Sequence, residues 1–345
     1  MNRLNYILLK MLIVLFISCI VVFIWKVVPD YSKKTSIETA ATQPTPDSTQ
    51  KTYTLGWSVY NSSLEYFKTV QDGVLAKAEE LGYNVISFDQ KSSSSEMVKG
   101  TLALIDQGID ALIISPFDPT AMIQIVESAK KKQIPVVVVD VGTGGTDVNA
   151  FILSDNFAGG IIAGEYALRL IKEHSIASKN VAIIKLEPTQ IYARRRGEGF
   201  KRVLLEAGYT IAAEVTGSSE NETASAYNIM QQILEQYGDD LAVVFCENDQ
   251  RAIGAAQAIE DAGKKGQIMV IGFDGIPLAI EAIKKGIMQG TVAQQPYEMG
   301  QLGVEVTSQF LNKEKVIFDN ERRKELYVET YLIDQNGNPV NQPEN

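Results

Sequence analysis

The sequence of 345 residues contains a single histidine, His174, and two cysteines, Cys19 and Cys246. One histidine excludes the HExxH pattern and every histidine cluster able to hold a metal. A Ser-His-Asp machine would have to use His174, which stands in the polar stretch RLIKEHSIASK and reads as a solvated surface residue. Two cysteines exclude a disulfide framework and a cysteine-rich zinc site. Cys246 ends an apolar run and reads as a buried structural thiol. Positive charge is also short: 32 Lys and Arg stand against 42 Asp and Glu, a net charge of −10. Without an excess of cations to neutralise phosphates, a general nucleic-acid binder is excluded. Phosphate loops are missing as well. Gly142-Thr143-Gly144 follows an apolar run, but the third glycine of GxGxxG would fall at position 147, which is Asp147, and no Walker A pattern occurs. No catalytic residue, metal site or cofactor is expected.

What is present is an ordinary globular composition, 45% hydrophobic and 21% charged, able to bury real cores. The length suggests roughly two domains. From Ile7 to Val28 the chain reads ILLKMLIVLFISCIVVFIWKVV, interrupted only by Lys10 and Lys26 near its ends. About 20 apolar residues cross a bilayer as a helix, so residues 1–28 are expected to be a transmembrane anchor or signal segment. The run continues past Ser18-Cys19 into Ile20, Val21, Val22 and Phe23, which favours an uncleaved anchor over a cleaved signal. A lipidated Cys19 is the other alternative; Phe16-Ile17-Ser18-Cys19 resembles a lipobox only loosely. Residues 29–51, rich in Pro, Thr, Ser and Gln, read as a flexible linker. Folding is expected to start near Thr52.

From there, short β-branched runs alternate with amphipathic stretches. Strands are expected at 52–58, 83–88, 111–115, 135–140 and 150–154, then at 180–185, 209–215, 241–246, 268–273 and 290–294. Continuous apolar strands between amphipathic helices indicate parallel sheets covered on both faces. About ten such strands make two doubly wound, Rossmann-like α/β lobes. Ligands of such sheets bind beyond the carboxyl ends of the strands. Those ends carry Ser58, Asp89-Gln90, Asp118, Asp140, Asn248-Asp249, Asp274 and Gln294-Gln295, with Tyr60, Tyr66 and Phe67 close by. Carboxylates and amides pair with hydroxyls that both donate and accept. Aromatic rings cover apolar C–H faces. The mixture suits a hydroxyl-rich ligand.

The segments SDNFAGGIIAGEY (154–166), ARRRGEGF (193–200), ENDQRAIGA (247–255), IGFDG (271–275) and GTVAQQP (290–296) occur in the order and spacing of one family. The chain resembles the periplasmic sugar-binding proteins of the ribose/galactose type over Thr52 to about Leu332. The same module serves LacI-type repressors, but only an apolar helix precedes it here, not a helix-turn-helix. The resemblance implies two lobes joined by three crossings, near Asp155–Asn156, Gln294–Gln295 and Lys324–Tyr327. It divides the chain into a first lobe of 52–155 plus 295–324, a second of 156–294 plus 325–335, and a tail of 336–345. It implies no enzyme, and a pentose or hexose ligand held between the lobes by Ser58, Tyr66, Phe67, Asp140, Arg194, Asn248, Asp274 and Gln294.

Each residue also has a plainer role: Asn248 as a helix cap, Asp274-Gly275 as a turn, Arg194 as a solvated helix start, Tyr66 and Phe67 as core. Trp57, inside a strand, reads as core. The sequence departs from the family pattern at Val141, where an arginine is expected after Asp140. It departs again near Ser92 or Ser93, where an asparagine is expected, and near Asn221, where an aromatic is expected. The resemblance places the large domain outside the cell, on a single-pass anchor in the membrane. Two partners are implied: a membrane sensor kinase, favoured by the poor lipobox, or an ABC permease.

Overall fold

The computed structural model describes residues 52–188, 190–238 and 240–340. The anchor expected at 1–28, the linker at 29–51 and the end of the tail lie outside the described residues. Among the described residues no helix is long and apolar enough to cross a membrane.

Strands β1 (Thr54–Val59), β2 (Asn84–Asp89), β3 (Ala111–Ile114), β4 (Val136–Val139) and β5 (Ala150–Ser154) form one sheet with β11 (Glu325–Val328). Its order is β11-β5-β4-β3-β1-β2 and its pairs are parallel. Strands β6 (Asn180–Lys185), β7 (Thr210–Thr216), β8 (Val243–Cys246), β9 (Met269–Asp274) and β10 (Gly290–Ala293) form a second parallel sheet. The short β12 (Tyr331–Ile333) and β13 (Pro339–Val340) extend it antiparallel, giving β13-β12-β10-β9-β8-β6-β7. Each sheet starts from its second strand and turns back once, so the two lobes are copies of one topology.

Helices cover both faces of each sheet, as the apolar runs require. In the first lobe α1 (Glu65–Glu80) and α9 (Pro296–Leu311) lie on one face, and α2 (Ser94–Asp106) and α3 (Met122–Lys131) on the other. In the second, α4 (Asn156–Glu173) and α5 (Arg194–Glu206) oppose α6 (Glu222–Tyr237), α7 (Asp249–Asp261) and α8 (Pro277–Lys284). In both lobes a helix that follows a crossing packs backbone to backbone on its partner. A Cβ added to Gly300 of α9 would lie 2.1 Å from the carbonyl oxygen of Val70 in α1, and one added to Gly160 of α4 would lie 2.1 Å from that of Arg196 in α5. Only glycine allows such an approach.

The chain crosses between lobes after Ser154, after Ala293 and after Val328. The third crossing, Glu329-Thr330, falls later than the expected Lys324–Tyr327. Glu325–Val328 pairs with β5, so these residues belong to the first lobe and not the second. The tail also contributes, since Pro339 and Val340 pair with β12. The crossings are tied to one another: Asp155 N–H donates to the Val328 carbonyl at 2.9 Å, and Gln295 Nε2 to the Glu329 carbonyl at 3.0 Å. Trp57 and Cys246 are fully buried, and His174 is an exposed helix end.

Candidate ligand site between the lobes

Asp140 follows β4 and Asp274 ends β9, so the two carboxylates occupy the same position in the two copies of the topology. Both adopt backbone conformations that side-chain-bearing residues rarely take, φ 74° at Asp140 and 116° at Asp274. Such strain persists where the surroundings over-determine it, and it clusters at ligand clamps.

Around Asp274 the surroundings are visible. Arg196 Nη1 donates to Asp274 Oδ1 at 2.8 Å and to the Glu247 carbonyl at 2.7 Å, while its Nε reaches Asn156 Oδ1 at 2.7 Å. Its guanidinium lies 3.9 Å from the centre of the Phe273 ring, a cation–π position. Gln294 Nε2 donates to the same Asp274 oxygen at 2.7 Å. One residue on, the turn is pinned by Asp249, fully buried in the first turn of α7. Its Oδ2 accepts from Gly275 N and Ile276 N at 2.7 and 2.9 Å, and its Oδ1 from the Thr291 hydroxyl at 2.6 Å.

Across the cleft the Tyr66 hydroxyl donates to Asp140 Oδ1 at 3.0 Å and lies 3.3 Å from Gln294 Oε1, which also accepts from Ser154 Oγ at 2.7 Å. Gln294, at a crossing, therefore joins the two carboxylates through its amide. Phe67 stacks on Tyr60 with ring centres 4.4 Å apart and planes at 5°, and Tyr60 meets Phe117 edge-on at 5.1 Å. Asn248 caps α7 by accepting from Arg251 N, and its amide nitrogen donates to Glu222 Oε2 at 2.7 Å. The second Glu222 oxygen pairs with the fully buried Arg251.

Burial dominates the titration of this region. It pushes Asp140 up to about 6, Glu247 up to about 7 and Asp249 up to about 8. Burial also raises Asp274, against the lowering pull of Arg196 and the Gln294 hydrogen bond. Tyr66 is raised well above the phenol range, first by burial and then by Asp140.

Six of the eight residues named from sequence, Tyr66, Phe67, Asp140, Asn248, Asp274 and Gln294, lie along this cleft. Ser58 does not: its hydroxyl is buried 2.7 Å from Thr101 Oγ1 and 3.0 Å from Gln90 Nε2, on the α2 side of the sheet. Alternation along β1 sends Trp57 and Val59 to the α1 face and Ser58 to the other. Arg194 is exposed at the start of α5, and the arginine that reaches Asp274 is Arg196. Residues two apart face different sides of a helix, and Gly197 and Gly199 beside Arg196 were the signal for the buried side. Tyr60 and Asp249, which the strand ends already point to, join the site, and Glu222 joins it with no sequence signal of its own. Serines stand where an asparagine was expected: Ser92 Oγ accepts from Asn61 Nδ2 at 2.9 Å, and Ser93 caps α2.

The periplasmic binding protein domain matches residues 55–315, and the chain belongs to that family, in its ribose/galactose type. The ribose import binding protein of Salmonella typhimurium is 34% identical over 251 residues, 73% of this chain and 82% of that protein. The ribose import binding protein of Bacillus subtilis is 32% identical over 274 residues, 79% of this chain and 87% of that one. Among solved structures, an ABC transporter periplasmic solute binding protein from Actinobacillus succinogenes with bound D-allose superposes with a TM-score of 0.68 at 28% identity, over 82% of this chain and 98% of that chain. The protein is a binding protein and not an enzyme.

Proposed function

We propose that this protein is the extracytoplasmic sugar-binding component of an ABC importer. The observation that carries the reading is the pair of half-buried, conformationally strained carboxylates, Asp140 and Asp274, one from each lobe, joined through Tyr66 and Gln294 beside the Tyr60–Phe67 stack. Carboxylates and amides take the hydroxyls of a monosaccharide, and the rings take its C–H face. The ligand contacts are Tyr66, Phe67, Asp140, Asn248, Asp274 and Gln294, with Arg196 in the place the family pattern gives to Arg194. Relatives described as ribose import proteins, and one solved with D-allose, support a pentose or hexose. A ligand touching both lobes binds the closed form better, and closure follows as a population shift equal to that difference in affinity. Residues 7–28 hold the domain at the outer face of the membrane as an uncleaved span.

A second reading rests on that same apolar run, which passes Cys19 without a good lipobox: the anchored receptor reports sugar to a membrane sensor kinase. Calorimetry of the purified protein against D-ribose, D-allose, D-galactose and D-arabinose should find one ligand with sub-millimolar affinity. Silence across the panel overturns the sugar reading. Crosslinking of the loaded protein in membranes then separates permease from kinase, and sequencing of the mature amino terminus decides the anchor.

A further inference from the structure

Away from the carboxylates and rings of the cleft, the second lobe reaches across to the first. Tyr192, in the loop leading into α5, meets Phe151 of β5 with ring centres 4.7 Å apart at 64°. The loop after β4 makes room for it: a Cβ added to Gly142 would lie 2.9 Å from the Tyr192 ring. One turn further along the chain, the Arg195 guanidinium sits 5.0 Å from the Tyr192 ring centre and forks onto Glu325 of β11, with Nη2 3.0 Å from Oε1 and Nη1 3.3 Å from Oε2. Glu325 is only 1% exposed, and its Oε2 also accepts from the Tyr327 hydroxyl at 2.6 Å. Tyr192 and Arg195 belong to the second lobe; Gly142, Phe151, Glu325 and Tyr327 belong to the first.

We propose that Tyr192 and Arg195 form a latch by which the second lobe holds the first, favouring the closed arrangement before any ligand arrives. The proposal rests on reading the two lobes as a closing receptor. Opening withdraws a bidentate guanidinium from a carboxylate that the fold keeps out of water. Glu325 would keep the Tyr327 hydroxyl and only a long contact to the exposed Arg323, whose Nη1 lies 3.9 Å from Oε1, and a buried carboxylate stripped of its hydrogen-bonded cation is unfavourable. Opening also lifts the Tyr192 ring off Phe151. Apparent affinity is the intrinsic affinity scaled by the fraction of molecules already competent to bind. The latch therefore strengthens ligand binding without touching the ligand. Arg195, Tyr192 and Glu325 are positioning residues, not ligand contacts.

The test uses the full chain with spin labels at Glu65→Cys and Glu220→Cys, exposed positions on opposite lobes, and measures interlobe distances without ligand. Arg195→Ala and Tyr192→Ala should each move population to longer distances. D-ribose, the probe, should then bind roughly tenfold more weakly, the scale of one charge-assisted hydrogen bond. Glu325→Gln should shift both readouts in the same direction by less, and Arg195→Glu combined with Glu325→Arg should recover part of the loss. If Arg195→Ala does not fold, Arg195→Gln carries the same expectation. A folded variant with an unchanged ligand-free distance distribution overturns the latch, even if its melting temperature falls, because that is a merely structural pair. If the parent protein ignores D-ribose and the other sugars, the sugar reading fails, while the ligand-free distances still decide the latch.

Discussion

Asp140 and Asp274 stand at matching points of two copies of one topology, yet their surroundings differ. Asp274 is met by Arg196, by the Gln294 amide and by a turn that Asp249 holds from behind. The Asp140 carboxylate accepts from the Tyr66 hydroxyl and, among the described residues, is met by no arginine of its own; Val141 follows it where the family pattern has an arginine. The second-lobe wall is ionic and internally paired, with Arg196–Asp274 beside Arg251–Glu222. The first-lobe wall is aromatic, with Tyr60, Tyr66, Phe67 and Phe117 in mutual contact. Duplicated topology thus fixes where a carboxylate stands and leaves its electrostatics to neighbours. One lobe presents a charge already neutralised. The other presents ring faces and a carboxylate that titrates near the working range.

The largest effect should come from breaking the paired side. Arg196→Ala strands Asp274 without its cation and should cost about 3 kcal/mol in urea unfolding, the low end of the penalty for breaking a buried pair, because the Asp274 side chain is 22% exposed and keeps the Gln294 amide. Arg194→Ala should stay within about 0.5 kcal/mol, as an exposed substitution does. Equal losses would mean that the two arginines share the work. Next, Asp274→Asn keeps the shape and tolerates positive φ but removes the charge. Its affinity for the sugar found in the panel should fall by about a hundredfold by calorimetry, the scale of two charge-assisted hydrogen bonds. Asp140→Asn should lose about tenfold. A reversed order would show that the unpaired carboxylate dominates recognition.

The pH dependence sharpens the same contrast. Folded Asp140 titrates at about 6, above the ordinary carboxylate range of the unfolded chain. Between those values the folded state holds more protons than the unfolded state, so stability falls as pH rises through about 6. Asp249 and Glu247, raised to about 8 and about 7, continue the decline towards pH 8. Urea midpoints should therefore drop from pH 5 to pH 8, and Asp140→Asn should flatten only the part below about 6. A midpoint that rises across pH 5–7 in the parent would show that these acids are not buried as described. The smallest effect is expected from Tyr60→Leu, which removes the stack on Phe67 and should cost about 1 kcal/mol of stability. Sugar affinity should weaken severalfold if Phe67 needs that stack to present its face.

Ten strands were legible because each is an apolar run bounded by helical stretches. The other three, ELYV, YLI and PV, are short or edge pieces whose pairing comes from distant strands, and no local period marks them. Sequence alone therefore assigns Glu325–Val328 to the second lobe, whereas pairing with β5 puts it in the first. Strand ends are readable as neighbours in the fold, and this brings Asp140, Asn248, Asp274 and Gln294 to one region between the lobes. Side-chain direction was harder. A period of two turns Ser58 into the lobe against Thr101, and helical phase hides Arg196 while exposing Arg194. Glu222 is joined to Asn248 only through the meeting of two helix starts, which no linear spacing encodes.

One buried amide has a consequence for how this protein can change over evolutionary time. Gln90 Nε2 reaches the Ser58 carbonyl and the Ser115 carbonyl, each at 3.0 Å, and its Oε1 accepts from Phe117 N at 2.8 Å. One residue therefore fixes the ends of three adjacent strands relative to each other. The loops that begin there, carrying Tyr60 and Phe117, hang from a frame whose spacing does not depend on their own side chains. Descendants of this gene can exchange those rings without renegotiating the sheet. Drift at Gln90 itself would disturb all three loops together. Innovation should therefore accumulate in the rings while the amide stays fixed.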